Sequence, residues 1–64
     1  MKDVYSFVAT KDNTIVGCDS RLLSTEDDAY QLAKDLFGIF IDINNVEIFR
    51  YENKKFVFIG SMHE

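Results

Sequence analysis

A chain of 64 residues supports one domain, since two cores would each be too small to hold together without disulfides or metal, and its one cysteine, Cys18, rules out an internal disulfide. At 47% hydrophobic and 14% aromatic residues, with no proline, the composition lies far from that of disordered chains. Eleven acidic against seven basic side chains give a net charge of −4, which opposes the counterion release that drives general nucleic-acid binding.

The first residues, Met1-Lys2-Asp3-Val4-Tyr5-Ser6, alternate polar and apolar, the pattern of a strand and not of the unbroken apolar region of a signal peptide. From Val4 to Cys18 two β-prone runs flank a compact polar turn, which predicts a hairpin. With Asp12 and Asn13 as a two-residue turn, Lys11 faces Thr14, Ala9 faces Val16 and Phe7 faces Cys18. That register gathers Tyr5, Phe7, Ala9, Val16 and Cys18 on an inward face, and leaves Val4, Ser6, Val8, Thr10, Ile15 and Gly17 on the other.

Asp19 to Leu23 reads as a connection. Ser24 or Thr25 then caps a helix whose first turn holds Glu26, Asp27 and Asp28, favourable near the positive end of the helix dipole. Ala29, Leu32, Ala33 and Leu36 recur at spacings of three and four and form the buried stripe, with Gln31, Lys34 and Asp35 in solvent. Gly38 suits the left-handed position beyond a helix end near Phe37, with Ile39 as the accompanying apolar contact. The longest apolar run, Leu36 to Ile41, is far too short to cross a bilayer, and a cytoplasmic location is expected. Phe40 to Asn45 is read as a loop anchored by its apolar residues.

Val46 to Tyr51 and Lys55 to Ile59 form a second hairpin about Asn53-Lys54, with Glu52 opposite Lys55. Tyr51 then faces Phe56 and Phe49 faces Phe58 on one side, while Arg50 faces Val57 and Ile48 faces Ile59 on the other. The expected fold is therefore α+β: a single ββαββ domain spanning residues 1–64, an antiparallel four-stranded sheet with one helix packed on one face.

The helix phrase Ser24-Thr25-Glu26-Asp27-Asp28-Ala29-Tyr30-Gln31-Leu32-Ala33-Lys34-Asp35-Leu36-Phe37 is similar in style to the helix of HicB-like antitoxin domains. The likeness covers that one helix, and neither the third strand which that pattern places before the helix nor a DNA-binding extension is read here. Membership is not assigned on it.

One helix covers one face of the sheet, yet the second hairpin is apolar on both. The aliphatic set Val46, Ile48, Val57 and Ile59 is assigned to the helix, because Glu47 shares the opposite face and is easier to place near solvent. Phe49, Tyr51, Phe56 and Phe58 then point outward as the candidate partner-binding residues, since exposed aromatic clusters mark protein interfaces. With the faces reversed, the same four would be core. A domain this small buries only about 60% of its unfolded surface, so a protein partner or a second copy, as in a homodimer, would add considerable stability.

Other chemistries are weaker. Cys18 and His63 are the only obvious nucleophile and base, one on a predicted inward face and the other near the last residue, so no catalytic residue and no enzyme activity are assigned. No zinc spacing, glycine-rich phosphate loop, GxSxG or HExxH occurs, and neither cofactor nor metal is expected. Arg50, Lys54 and Lys55 beside Tyr51 and Phe56 provide an alternative, a local clamp for single-stranded nucleic acid. A further alternative is an acidic nucleic-acid mimic built on the six acids between Asp19 and Asp42.

Overall fold

The computed structural model describes residues 1–64. Its elements run β1 (Asp3–Lys11), β2 (Thr14–Leu23), α1 (Glu26–Leu36), β3 (Asn45–Glu52) and β4 (Lys55–His63). The strands form one antiparallel sheet in the order β2-β1-β3-β4, and α1 packs on one face of it. The expected ββαββ architecture is what the chain adopts.

Both hairpins close through two-residue turns with positive φ at both central positions: 51° and 68° at Asp12 and Asn13, 50° and 65° at Asn53 and Lys54. This is the type I′ form, whose twist matches that of the strands it joins. Each hairpin also carries a bulge. In the first, Ala9 pairs with Gly17 and Thr10 with Ile15, leaving Val16 as the extra residue. In the second, Ile48 pairs with Gly60 and Phe49 with Phe58, leaving Ile59 over.

The bulge at Val16 corrects the expected register. One extra residue exchanges the faces of everything beyond it, so Phe7 pairs with Asp19 instead of Cys18, and Cys18 pairs with Val8 on the outer face, where it is exposed. Val16 itself is 46% exposed, and Gly17 moves to the helix face. The strand also runs on through Asp19 to Leu23, which were expected as a connection. The bulge at Ile59 likewise replaces the expected pairing of Ile48 with Ile59.

The core lies between α1 and the middle strands. Tyr5, Phe7 and Ala9 of β1, Val46 and Ile48 of β3, Ala29, Ala33 and Leu36 of α1 and Ile43 of the following loop are buried. Fully burying a side chain such as Phe7 or Ile48 contributes about 1.5–3 kcal/mol. The alanines let the helix approach the sheet closely. Thr25 caps α1: its hydroxyl accepts the Asp28 N–H at 3.1 Å, and Glu26, Asp27 and Asp28 occupy the first turn.

The helix end departs from expectation. No glycine has positive φ, and the chain leaves α1 through tight turns in which Gly38 N–H donates to Asp35 and Ile39 N–H to Leu36. These bonds engage the last carbonyls without a left-handed glycine, and the reversal falls later, at Asp42 with φ 63°. Ile39 stays 60% exposed; Phe40 and Ile43 anchor the loop instead. No helix is long and apolar enough to cross a membrane.

Candidate functional site

Pairing across the four strands sorts the outer face into rows. One row reads Ser20, Ser6, Phe49, Phe58 from β2 to β4; the next reads Cys18, Val8, Glu47, Ser61; a third reads Ile15, Thr10, Asn45, His63. Beyond the first, Leu22 pairs with Val4 and Tyr51 with Phe56, continuing the alternation at the end of the sheet nearest the Asn53-Lys54 turn. The outer face thus has an apolar end and a polar end.

The four predicted residues all stand at the apolar end, on the side away from the helix. Phe49 and Phe58 meet edge to face with centroids 5.6 Å apart and planes at 67°, and Tyr51 and Phe56 do the same at 5.1 Å and 63°. These are the cross-strand aromatic geometries worth about 0.5–1.5 kcal/mol beyond burial. The pairs nevertheless remain wet: Tyr51, Phe56 and Phe58 are 43%, 49% and 53% exposed, and Leu22 across the sheet is 60% exposed. Within the strands, Glu47 is the only Asp, Glu, Lys or Arg on this face, with His63 at its polar end. On a chain with eighteen such side chains, that concentration of charge elsewhere leaves a nearly neutral surface.

Residues of β1 and β2 also belong to this surface, and the sequence reading omitted them from the site. The Ser20 hydroxyl donates to Ser6 at 3.3 Å, and the Ser6 hydroxyl donates to the Asp19 carbonyl at 3.5 Å. Both hydroxyls are therefore engaged within the protein. The alternation of Cys18, Ser20 and Leu22, continuing after the glycine, was the available signal for their placement.

The two edges of the sheet are less open than its face. On β2 the Asp19 carboxylate accepts the Ser20 N–H at 2.9 Å and Arg21 Nε at 3.1 Å, putting an ion pair in the middle of that edge. On β4 the bulge interrupts the ladder, and the Tyr30 hydroxyl donates to the Ile59 carbonyl at 3.3 Å. Charges and bulges of this kind discourage strand addition.

The alternative constellations are divided by the fold. Arg50 stands on the helix face, 3.5 Å from Glu26 and 3.6 Å from Glu52, whereas Tyr51 and Phe56 point the opposite way. The Tyr5 hydroxyl, with Glu52 and Glu26, raises the Arg50 pKa above its ordinary value. Only Lys54 and Lys55 remain free at the turn. Cys18 on β2 and His63 on β4 are separated by two strands, and His63 instead approaches Ser61, with 3.3 Å between Nε2 and Oγ. No pocket opens near either, and no group of three or more His, Cys, Asp or Glu side chains converges as for a metal.

Comparison with known proteins returns no match: no family model, curated protein or solved structure matches the chain.

Proposed function

We propose that the protein is a small non-enzymatic binding module that engages another polypeptide through the outer face of its sheet, with Phe49, Tyr51, Phe56 and Phe58 as the contact residues. The observation that carries this reading is the combination of two half-wet aromatic pairs with the near absence of charge around them. Exposed side chains that already pack against one another lose little conformational freedom on docking, and covering them removes apolar surface from water. The guarded edges favour docking on the face over addition of a strand.

Photo-crosslinking tests this directly. With benzoylphenylalanine at position 58 in cells expressing the full chain, covalent protein adducts are expected; the same probe at Lys34, on the solvent side of α1, should give none. Equal yields from the two positions, or no adduct at position 58, would sink the reading.

A further inference from the structure

We infer that the polypeptide docked on the outer face is a second copy of this chain, packed sheet to sheet about a two-fold axis that runs along the strands between β1 and β3. The inference rests on the binding reading above and adds the identity and orientation of the partner.

The shape of the face carries the argument. Its β3 and β4 half is a ridge built from Phe49, Tyr51, Phe56 and Phe58, and much of its β1 and β2 half is a ledge built from Ser6, Ser20, Val4 and Val8. Such a step is self-complementary under only one kind of two-fold. An axis along the strands preserves position along each row and reverses strand order, so β4 of one copy lies over β2 of the other. Phe58 then covers Ser20 of the second copy and Phe49 covers its Ser6, large on small, while Phe56 meets Leu22 and Tyr51 meets Val4. An axis across the strands would instead pair β3 and β4 with themselves, ridge on ridge.

Polar chemistry permits the same arrangement. Covering Ser6 and Ser20 with phenyl rings would be costly if their hydroxyls relied on water, but each already donates within its own copy. Glu47 comes to lie over Val8 of the second copy, in the row outside the aromatic end. Ser61, Asn45 and His63 lie beside or beyond it towards the polar end of the face, and the carboxylate of Glu47, on a strand next to the axis, is the one acidic charge per copy that the joint has to cover. The other strand charges, Asp3, Lys11, Asp19, Arg21, Arg50, Glu52 and Lys55, are in register with the helix face, so two chains of net charge −4 meet across their least charged sheet surfaces.

Size agrees as well. The molecule extends 33 × 20 × 15 Å, so the whole broad face projects an area on the order of 600 Å² per copy, and the joint must use that face in full to reach the lower end of the ~600–1,000 Å² per partner of stable interfaces. The resulting dimer is a four-layer sandwich, helix, sheet, sheet, helix, with the sheets about 10 Å apart.

Sedimentation of the full chain from micromolar to millimolar concentration, joined to isotope-filtered NOE measurements on a mixture of labelled and unlabelled copies, tests the inference. A dimer showing Leu22 methyl to Phe56 ring contacts between copies is expected. The folded variant Ser20→Lys, which leaves every aromatic in place, should weaken that dimer at least about tenfold by placing a charge under Phe58. A dimer whose intercopy contacts join Phe58 to Phe58 would overturn the orientation, as would a Ser20→Lys variant that dimerises like the parent. A monomer at millimolar concentration that still gives position-58 adducts to a different protein would overturn the second-copy inference and leave the binding reading standing. A monomer with no adducts would overturn both.

Discussion

The ring of Tyr30 lies directly over Gly60, so that a Cβ on that glycine would collide with the Tyr30 hydroxyl and stand 3.1 Å from its Cζ. The hydroxyl donates to the carbonyl of Ile59, the extra residue of the β4 bulge. The helix therefore reaches the β4 edge through one aromatic side chain that needs a bare backbone beneath it. The other edge repeats the device, with Phe40 over Gly17, where a Cβ would stand 2.5 Å from Phe40 Cε1.

Gly60→Ala should consequently destabilise the fold by about 1–3 kcal/mol through overpacking, and Tyr30→Phe by about 0.5–1.5 kcal/mol through the lost hydrogen bond. Because Tyr30→Phe removes the colliding oxygen, the double variant should cost less than the two single effects combined. Denaturant titration of the four proteins measures that coupling, and strict additivity would show that the ring moves aside freely.

On the outer face, Phe49→Ser together with Phe58→Ser should abolish association while the chain stays folded, since neither residue belongs to the buried core. Circular dichroism and solution mass, measured on the same samples, separate the two effects. Phe56→Ser alone, at an exposed position, should weaken association without a measurable change in fold.

Lys54 adopts φ 65° at the second position of its turn, a conformation that costs a side chain with a Cβ about 1–2 kcal/mol. Lys54→Gly relieves this strain but loosens the unfolded chain, for a net gain of about 0.5–1 kcal/mol. The melting temperature should rise by roughly 2–8 °C. Lys54→Val, branched at the same φ, should lower it.

Thr25 supplies the side-chain cap of the only helix. Thr25→Ala should cost about 1 kcal/mol, and Thr25→Ser close to nothing, because serine offers the same acceptor to the Asp28 N–H. Equal losses in the two variants would mean that the threonine methyl, and not the hydroxyl, matters here.

Much of this architecture could be read from local chemistry. Asp12-Asn13 and Asn53-Lys54 announce their turns, Ser24-Thr25 a cap that the structure assigns to Thr25, and the spacing of Ala29, Ala33 and Leu36 the face of α1. The outward direction of Phe49, Tyr51, Phe56 and Phe58 followed from Glu47 sharing their face, a charge that is costly to bury. What failed was register beyond each bulge, together with the reach of β2 through Leu23 and the manner of the helix end. Gly17 and Gly60, both inside strands, were the signals, but their purpose depends on rings from Phe40 and Tyr30 that arrive from elsewhere in the chain. The same bulge explains why Cys18 was placed inward and lies outside. The serine pair escaped notice because Ser6 and Ser20 become neighbours only once that register is known.

The strand order has a consequence for how the chain finds its fold. β1 with β2, and β3 with β4, are local hairpins of a kind that form in about 1–10 μs, yet neither buries enough surface to persist alone. The one strand pairing that joins them is the seam between β1 and β3, where Tyr5 pairs with Arg50 from near the opposite end of the chain, and there, beneath α1, Phe7, Ala9, Val46 and Ile48 find cover. The entropy of bringing those ends together falls on that pairing, so by contact order the meeting of the two transient hairpins beneath the helix that links them is the expected slow step of folding.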